Sequence, residues 1–334
     1  MKVITARNVN EALLLGLNAL KIHGVTRPSR NGKVQVFPMP VTTHYKKPNE
    51  RVIFFPERDA NPYFHFMESL WMIAGRRDVE FPAYFSSNIA NYSDDGLTFH
   101  GAYGYRWRNH FQIPEQPDHV IDQLATIAAA LNKNADDRRV VLQMWDTTVD
   151  LGLDGKDFPC NLMATFRINP YGKLDMTVFN RSNDMIWGAY GANAVHFSML
   201  HELMAAWVKV PLGSYWQVST NFHAYQDVLD RHTGFENHTP GTDPYYMEKV
   251  KPYPLVTGPI EEWFQDLNMF MESGPVIGFK TKFFKNVAVP MLQSWDCWKN
   301  REDPNRKSGA LRLADQIVAS DWRMACMEWL ERRT

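Results

Sequence analysis

Apolar residues recur at helical spacing from Asn8 to His23, with Leu13, Leu14, Leu17, Leu20 and Ile22 on the repeat and Gly24 as the stop, which predicts an amphipathic helix. Val34 to Phe37 and Val52 to Phe55 are short apolar runs around a proline-bearing bend and predict strands. Asn61-Pro62-Tyr63 opens a helix that runs through Glu68, Leu70, Trp71 and Ile73 to Gly75, and another is expected from about Val120 to Leu131. Val140 to Trp145, Leu162 to Ile168 and Lys173 to Phe179 predict strands, the last two joined by the turn Asn169-Pro170-Tyr171-Gly172. Ala194 to Val208 is the most apolar helical stretch and is expected to be the central buried helix. Tyr215 to Ser219 predicts a further strand. Beyond Asp230 the pattern loosens as far as Pro259, and helices are then expected over Ile260 to Glu272 and Ser308 to Arg332. The irregular alternation predicts an α+β chain, a mixed sheet on a buried helix, rather than a doubly wound parallel sheet. A principal domain is expected over residues 1–230, with residues 231–334 as an extension packed on it.

Composition narrows the classes of partner. With 36 basic and 37 acidic side chains, the chain carries no electrostatic footprint for duplex nucleic acid or an anionic membrane, although single nucleotides remain allowed. No run of eighteen apolar residues occurs and the start lacks the apolar core of a secretory signal. Cys160, Cys297 and Cys326 are odd in number and lack C-x-x-C spacing, which argues against a disulfide framework or a zinc ribbon. A cytoplasmic protein is the expectation. His196 and His201 are five apart, not at the i, i+4 spacing of a zinc pair, and no metal is expected.

The candidate chemistry gathers around Cys160. It lies in Phe158-Pro159-Cys160-Asn161 and is followed 21 positions later by Arg181-Ser182-Asn183-Asp184, so a thiol shares a segment with a guanidinium, a hydroxyl and a carboxylate. A neighbouring guanidinium is expected to lower the thiol pKa and favour the nucleophilic thiolate. Arg138-Arg139 precedes an apolar strand, where a guanidinium fork can clasp a phosphate or simply be solvated. His223 and Tyr225 stand two apart on one face of an extended segment, as sugar partners would need to be. Glu68 lies among Phe66, Met67, Leu70 and Trp71, where burial would raise its pKa toward the range of proton transfer.

In order along the chain, Met67-Glu68-Ser69-Leu70-Trp71, Tyr103-Gly104-x-x-Trp107-Arg108, Arg138-Arg139, Pro159-Cys160, Asn180-Arg181-Ser182-x-Asp184, Gly188 to Asn193 and His223-x-Tyr225 resemble the thymidylate synthase family. The resemblance covers roughly Ser29 to Leu229. It implies that Cys160 adds to carbon 6 of a pyrimidine nucleotide, whose carbon 5 then attacks the one-carbon unit of the cosubstrate 5,10-methylenetetrahydrofolate. Arg181 and Ser182 match the phosphate site. Arg138 and Arg139 are implied to reach it from a second subunit across a sheet-face homodimer interface. Arg30, with Arg27 as its rival, matches a further phosphate arginine. Asn193 matches the reader of the base edge, His223 and Tyr225 the ribose contacts, and Asp184 the carboxylate that holds the pterin. Glu68 is implied to manage protons through water, and Tyr103 to assist proton removal from carbon 5.

The departures bear on the last step. Ile89 falls where a thymidylate synthase has a tryptophan that shields the exocyclic methylene intermediate, and so leaves room for water. Asn161 stands in place of a histidine and Asn180 in place of a glutamine, while Gly188 to Asn193 is one residue longer than the synthase loop. The end, Trp329 to Thr334, replaces the apolar tail that closes over folate. Water would intercept the methylene in a site that is not dry and closed. These features resemble the hydroxymethylase branch. Alternatives are thymidylate synthase itself, a CMP hydroxymethylase, or a non-enzymatic nucleotide- or RNA-binding relative. Asn193 can pair with either uracil or cytosine by an amide flip. The chain length, the longer loop and Trp187-Gly188-Ala189-Tyr190-Gly191 tip the expectation slightly toward dCMP over dUMP.

Overall fold

The computed structural model describes residues 1–29, 32–113, 115–231 and 233–334; Arg30, Asn31, Pro114 and His232 lie outside the described residues, as do the side chains of Pro117 and Glu236. The strands, in chain order, are β1 (Lys2–Ala6), β2 (Val25–Ser29), β3 (Gly32–Val36), β4 (Val41–Tyr45), β5 (Gln112–Ile113), β6 (Gln116–Val120), β7 (Val141–Gln143), β8 (Asn161–Ile168), β9 (Leu174–Asn180), β10 (Asn183–Asp184), β11 (Leu212–Ser219) and β12 (Phe222–Tyr225). The helices are α1 (Val9–His23), α2 (Pro62–Ile73), α3 (Glu80–Phe85), α4 (Tyr103–Arg108), α5 (Gln123–Lys133), α6 (Thr147–Asp150), α7 (Asn193–Val208), α8 (Gln226–Arg231), α9 (Ile260–Ser273), α10 (Val289–Lys299), α11 (Arg306–Ala314) and α12 (Ser320–Glu331).

Helix α7 is apolar around its circumference and is the buried centre, as its sequence predicts. A mixed sheet of order β1-β4-β11-β9-β8-β7 packs on it through β9 and β11. Strand β11 runs parallel to β9, and β8 antiparallel to β9, so Cys160 just before β8 and Arg181 just beyond β9 meet at one end of the sheet. A smaller sheet, β10-β12-β3-β2, pairs Asp184 with His223 in register. The other face of the large sheet is an open groove of about 1260 Å3 that includes Arg138, His44 and Trp216.

Several expected elements are corrected. Val52–Phe55 forms no strand: its backbone is satisfied by a side chain, with Asn10 Nδ2 donating to Val52 O at 3.0 Å and Phe54 N donating to Asn10 Oδ1 at 3.1 Å. The helix expected from Val120 begins at Gln123, because Asp122 caps it by accepting from Ala125 N, and Val120 belongs to β6. Ser308–Arg332 is two helices, α11 and α12, broken where Val318 N turns away to Asn286 O and Ile317 is buried. Strands β1 and β4 and helix α10 carried too short or too mixed an apolar pattern to be predicted.

Residues beyond 231 lie against α2. The hydroxyl of Tyr63 pairs with Ser294 Oγ at 2.7 Å, and its ring packs against Trp295 and Trp329. Phe66 packs against Phe283 and Trp322. Among the described residues no helix is long and apolar enough to cross a membrane, and no group of three or more His, Cys, Asp or Glu is placed to hold a metal ion.

Candidate active site

Pro159 and the first residue of β8 bracket Cys160, which stands half-buried at the wall of a cleft of about 400 Å3. The cleft also takes in Glu68, Ile89, Tyr103, Ser182, Asp184, Asn193 and His196. Seven positions singled out from sequence therefore share one cavity, Cys160 among them.

Helix α4 brings in Tyr103. Gly104 makes this possible, since a Cβ there would lie 1.9 Å from Met72 O at the end of α2. The phenolic oxygen of Tyr103 accepts from Cys160 N at 3.1 Å and from Asn161 N at 3.3 Å, which fixes the backbone that presents the sulfur. Burial pushes this phenol up.

Arg181 corrects one expectation. Its Nε donates to Pro159 O at 2.9 Å and its terminal nitrogen to Phe158 O at 3.2 Å, so the guanidinium grips the loop that carries the nucleophile. Burial pushes the Cys160 thiol up; Arg181 pulls it down but is outweighed, and Asp157 adds to the rise. Burial thus biases the sulfur toward its protonated form.

The base-reading candidate sits in a chain of amides. Asn161 Nδ2 donates to Asn193 Oδ1 at 3.3 Å, and Asn193 Nδ2 donates to Asn183 Oδ1 at 3.1 Å. Asn183 in turn donates to Gln217 Oε1 and Ser219 Oγ, both at 3.1 Å. Gly188 is required beside them, because a Cβ there would come within 2.5 Å of Asn183 Oδ1. The segment ahead of α7 forms a wide, π-type turn, Met185–Ala192, kinked at Tyr190 and Gly191.

Asp184 accepts from Trp187 N at 2.6 Å through Oδ1, while Oδ2 is buried with no partner among the described residues. Burial pushes this carboxyl up against the opposing Trp187 N–H, His223, Ile186 N–H and Arg58. Ser182 Oγ accepts from Asn221 Nδ2 at 3.4 Å. His223 and Tyr225 meet edge to face, ring centroids 5.5 Å apart, on the strand that pairs with Asp184 but outside the cleft lining.

Arg138 and Arg139 are not brought to this cleft. Both are exposed ahead of β7; Arg139 pairs with Asp137 at 2.8 Å, and Arg138 borders the open sheet face. Arg27 lies exposed on β2, and Arg30 falls outside the described residues.

Sequence reasoning gave no site role to Trp71, Tyr92, Asn183 and Trp187, which line the cleft. It also gave His196 no role beyond discounting it as half of a zinc pair. Helical spacing was the available signal for two of them: Trp71 follows Glu68 by three, and His196 follows Asn193 by three.

The sequence profile described as thymidylate synthase matches residues 17–252. This chain belongs to the thymidylate synthase family. As a member of that family it is a one-carbon transferase. It is 54% identical, over its whole length and 95% of the relative, to the deoxyuridylate hydroxymethyltransferase of Pseudomonas phage M6. It is 39% identical to the deoxyuridylate hydroxymethyltransferase of Bacillus phage SP01 over 56% of this chain and 50% of the relative. A putative thymidylate synthase of Methanosarcina barkeri (strain Fusaro / DSM 804) is 27% identical over 69% of this chain and 92% of that one.

Proposed function

We propose that this thymidylate synthase family member hydroxymethylates carbon 5 of dUMP, using 5,10-methylenetetrahydrofolate and water. The observation that carries the reading is 54% identity along the entire chain to a relative named for that activity. Ile89 in the cleft wall supports it, since a branched aliphatic side chain there leaves room for water over the reacting carbon. dUMP replaces the slight lean toward dCMP because two relatives are named for deoxyuridylate and Asn193 is an amide rather than a carboxylate.

The residues fit a folate. Trp71, Ile89, Tyr92, Phe99 and Trp187 make apolar walls for a flat ring, and the orphaned Oδ2 of Asp184 suits a pterin N–H donor. When bound, methylenetetrahydrofolate supplies the one-carbon unit. The protein's part is to hold and activate the nucleotide. Arg181 and Ser182 anchor the phosphate, His223 and Tyr225 meet the ribose, and Asn193 spans the base edge. Cys160 gives up its proton and its sulfur bonds to carbon 6, so that carbon 5 becomes nucleophilic. Tyr103 assists departure of the carbon 5 proton, and Glu68 handles protons through water. The free thiols of Cys160, Cys297 and Cys326 suit a reducing cytoplasm.

Incubation with dUMP, dCMP or CMP and the folate, followed by mass analysis, tests the reaction. The expected product is dUMP heavier by one CH2O unit, with tetrahydrofolate and no dihydrofolate. A methylated nucleotide with dihydrofolate would replace this reading by thymidylate synthesis.

The same proposal includes a shared site. Arg138 borders the open sheet face with Arg139 exposed next to it in the chain, and a second copy seated there would carry them toward the partner's phosphate site. Cys160→Ala and Arg138→Ala/Arg139→Ala proteins, each inactive alone, should regain about a quarter of parental activity when mixed and allowed to exchange subunits. No recovery in a mixture shown to have exchanged would place the arginines in their own subunit's site.

A further inference from the structure

Among the cleft's polar groups, His196 has no role in the scheme above. His196 stands on α7 one turn beyond Asn193, 4% exposed, and lines the same cavity as Cys160 and Asp184. Its Nε2 lies 3.1 Å from Glu68 Oε2 on the facing helix α2, yet out of line with the ring N–H, so that it has no hydrogen-bond partner among the described residues. A buried polar atom left unpaired is costly unless a bound state satisfies it. Catalytic hydrogen bonds in ligand-free sites are commonly long or misaligned and tighten only around the reacting complex. The ring is backed edge-on by His65, 6.4 Å away between centroids, itself held well toward its neutral form by burial and by Arg58 and His196.

We propose that His196 is the positioning residue that aligns Glu68 to receive the proton of the water that captures the exocyclic methylene. This rests on the hydroxymethylase reading. In that step the water oxygen bonds to the methylene carbon, and the methylene π pair moves into the ring toward oxygen 4. The water proton passes to the Glu68 carboxylate, whose second oxygen is fixed by the His196 Nε2–H. The ring pair then returns, restores the bond between carbons 5 and 6, and expels the Cys160 sulfur. No oxidant or reductant is consumed. Alignment matters most here because the O–H of water becomes acidic only as the new C–O bond forms.

Capture by water and formation of the methylene are separable readouts. Release of tritium from carbon 5 of labelled dUMP reports the steps up to the methylene, and an added thiol competes with water for it, giving a thioether. His196→Phe should keep tritium release within about threefold of the parent while raising the thioether-to-hydroxymethyl ratio at least about tenfold. His196→Gln keeps an N–H within reach of Glu68 and should hold that ratio within about threefold. Should the phenylalanine protein not fold, His196→Asn, polar but too short to reach Glu68, takes its place with the same expectation. An unchanged ratio in His196→Phe or His196→Asn overturns the proposal, as does a shift in His196→Gln as large as theirs. Failure of the hydroxymethylase reading itself is distinct: the parent protein would then yield a methyl product.

Discussion

Cys160→Ser is expected to lose turnover by about a thousandfold or more while binding dUMP within about twofold of the parent. A serine hydroxyl keeps the shape of the site but ionises far above neutrality. Even the thiol is pushed up by burial, with Arg181 only partly compensating. The step from thiol to adduct therefore already depends on sulfur's intrinsic acidity and nucleophilicity. On the proposed reading, nucleotide affinity would reside elsewhere, in the phosphate, ribose and base contacts, none of which needs the sulfur. Tritium release from carbon 5 should vanish in step with product, while calorimetric titration with dUMP should be little changed. A serine variant that releases tritium within tenfold of the parent would remove Cys160 from the chemistry.

Asn193→Asp is expected to invert the choice of base. The amide now has Oδ1 accepting from Asn161 and Nδ2 donating to Asn183 Oδ1. A carboxylate keeps the first contact but faces the Asn183 carbonyl oxygen acceptor to acceptor, and it meets oxygen 4 of uracil in the same way. The amino group of cytosine would instead donate to it. The ratio of kcat/KM for dUMP over dCMP should fall by about two orders of magnitude or more, consistent with what unpaired buried polar groups cost in recognition. Competition between the two nucleotides in one reaction, with products resolved by mass, gives the ratio directly. An unchanged ratio would mean that Asn193 is not the reader and that the wide turn before α7 aligns a different residue with the base.

The sequence carried the parts of the fold that are written locally. Helix α1 has its Asn8 cap and its apolar repeat, α2 its Asn61 cap and proline start, and β8 and β9 their turn with Gly172 in the left-handed region, at φ 72°. What could not be read there depends on distant partners. Val52–Phe55 looks like a strand until Asn10 takes up its backbone groups, and α11 and α12 look continuous until Asn286 claims the turn between them. The site follows the same division. Cys160, Glu68, Tyr103, Asp184 and Asn193 announce themselves through ordered motifs, whereas the downward pull expected of Arg181 on the thiol is overruled by burial that only the folded cleft creates. The approach of His196 to Glu68 needs two helices far apart in sequence to pack face to face, and nothing in either segment alone encodes it.

The aromatic rings of α10 and α12 that clasp Tyr63 have a consequence for how loss of function would be distributed along the gene. Trp295 and Trp329 press on the same helix that presents Glu68, at residues remote in sequence from every motif. A random screen for dead enzyme should therefore recover lesions near the carboxy terminus whose kinetic signature imitates damage to a proton-handling carboxylate.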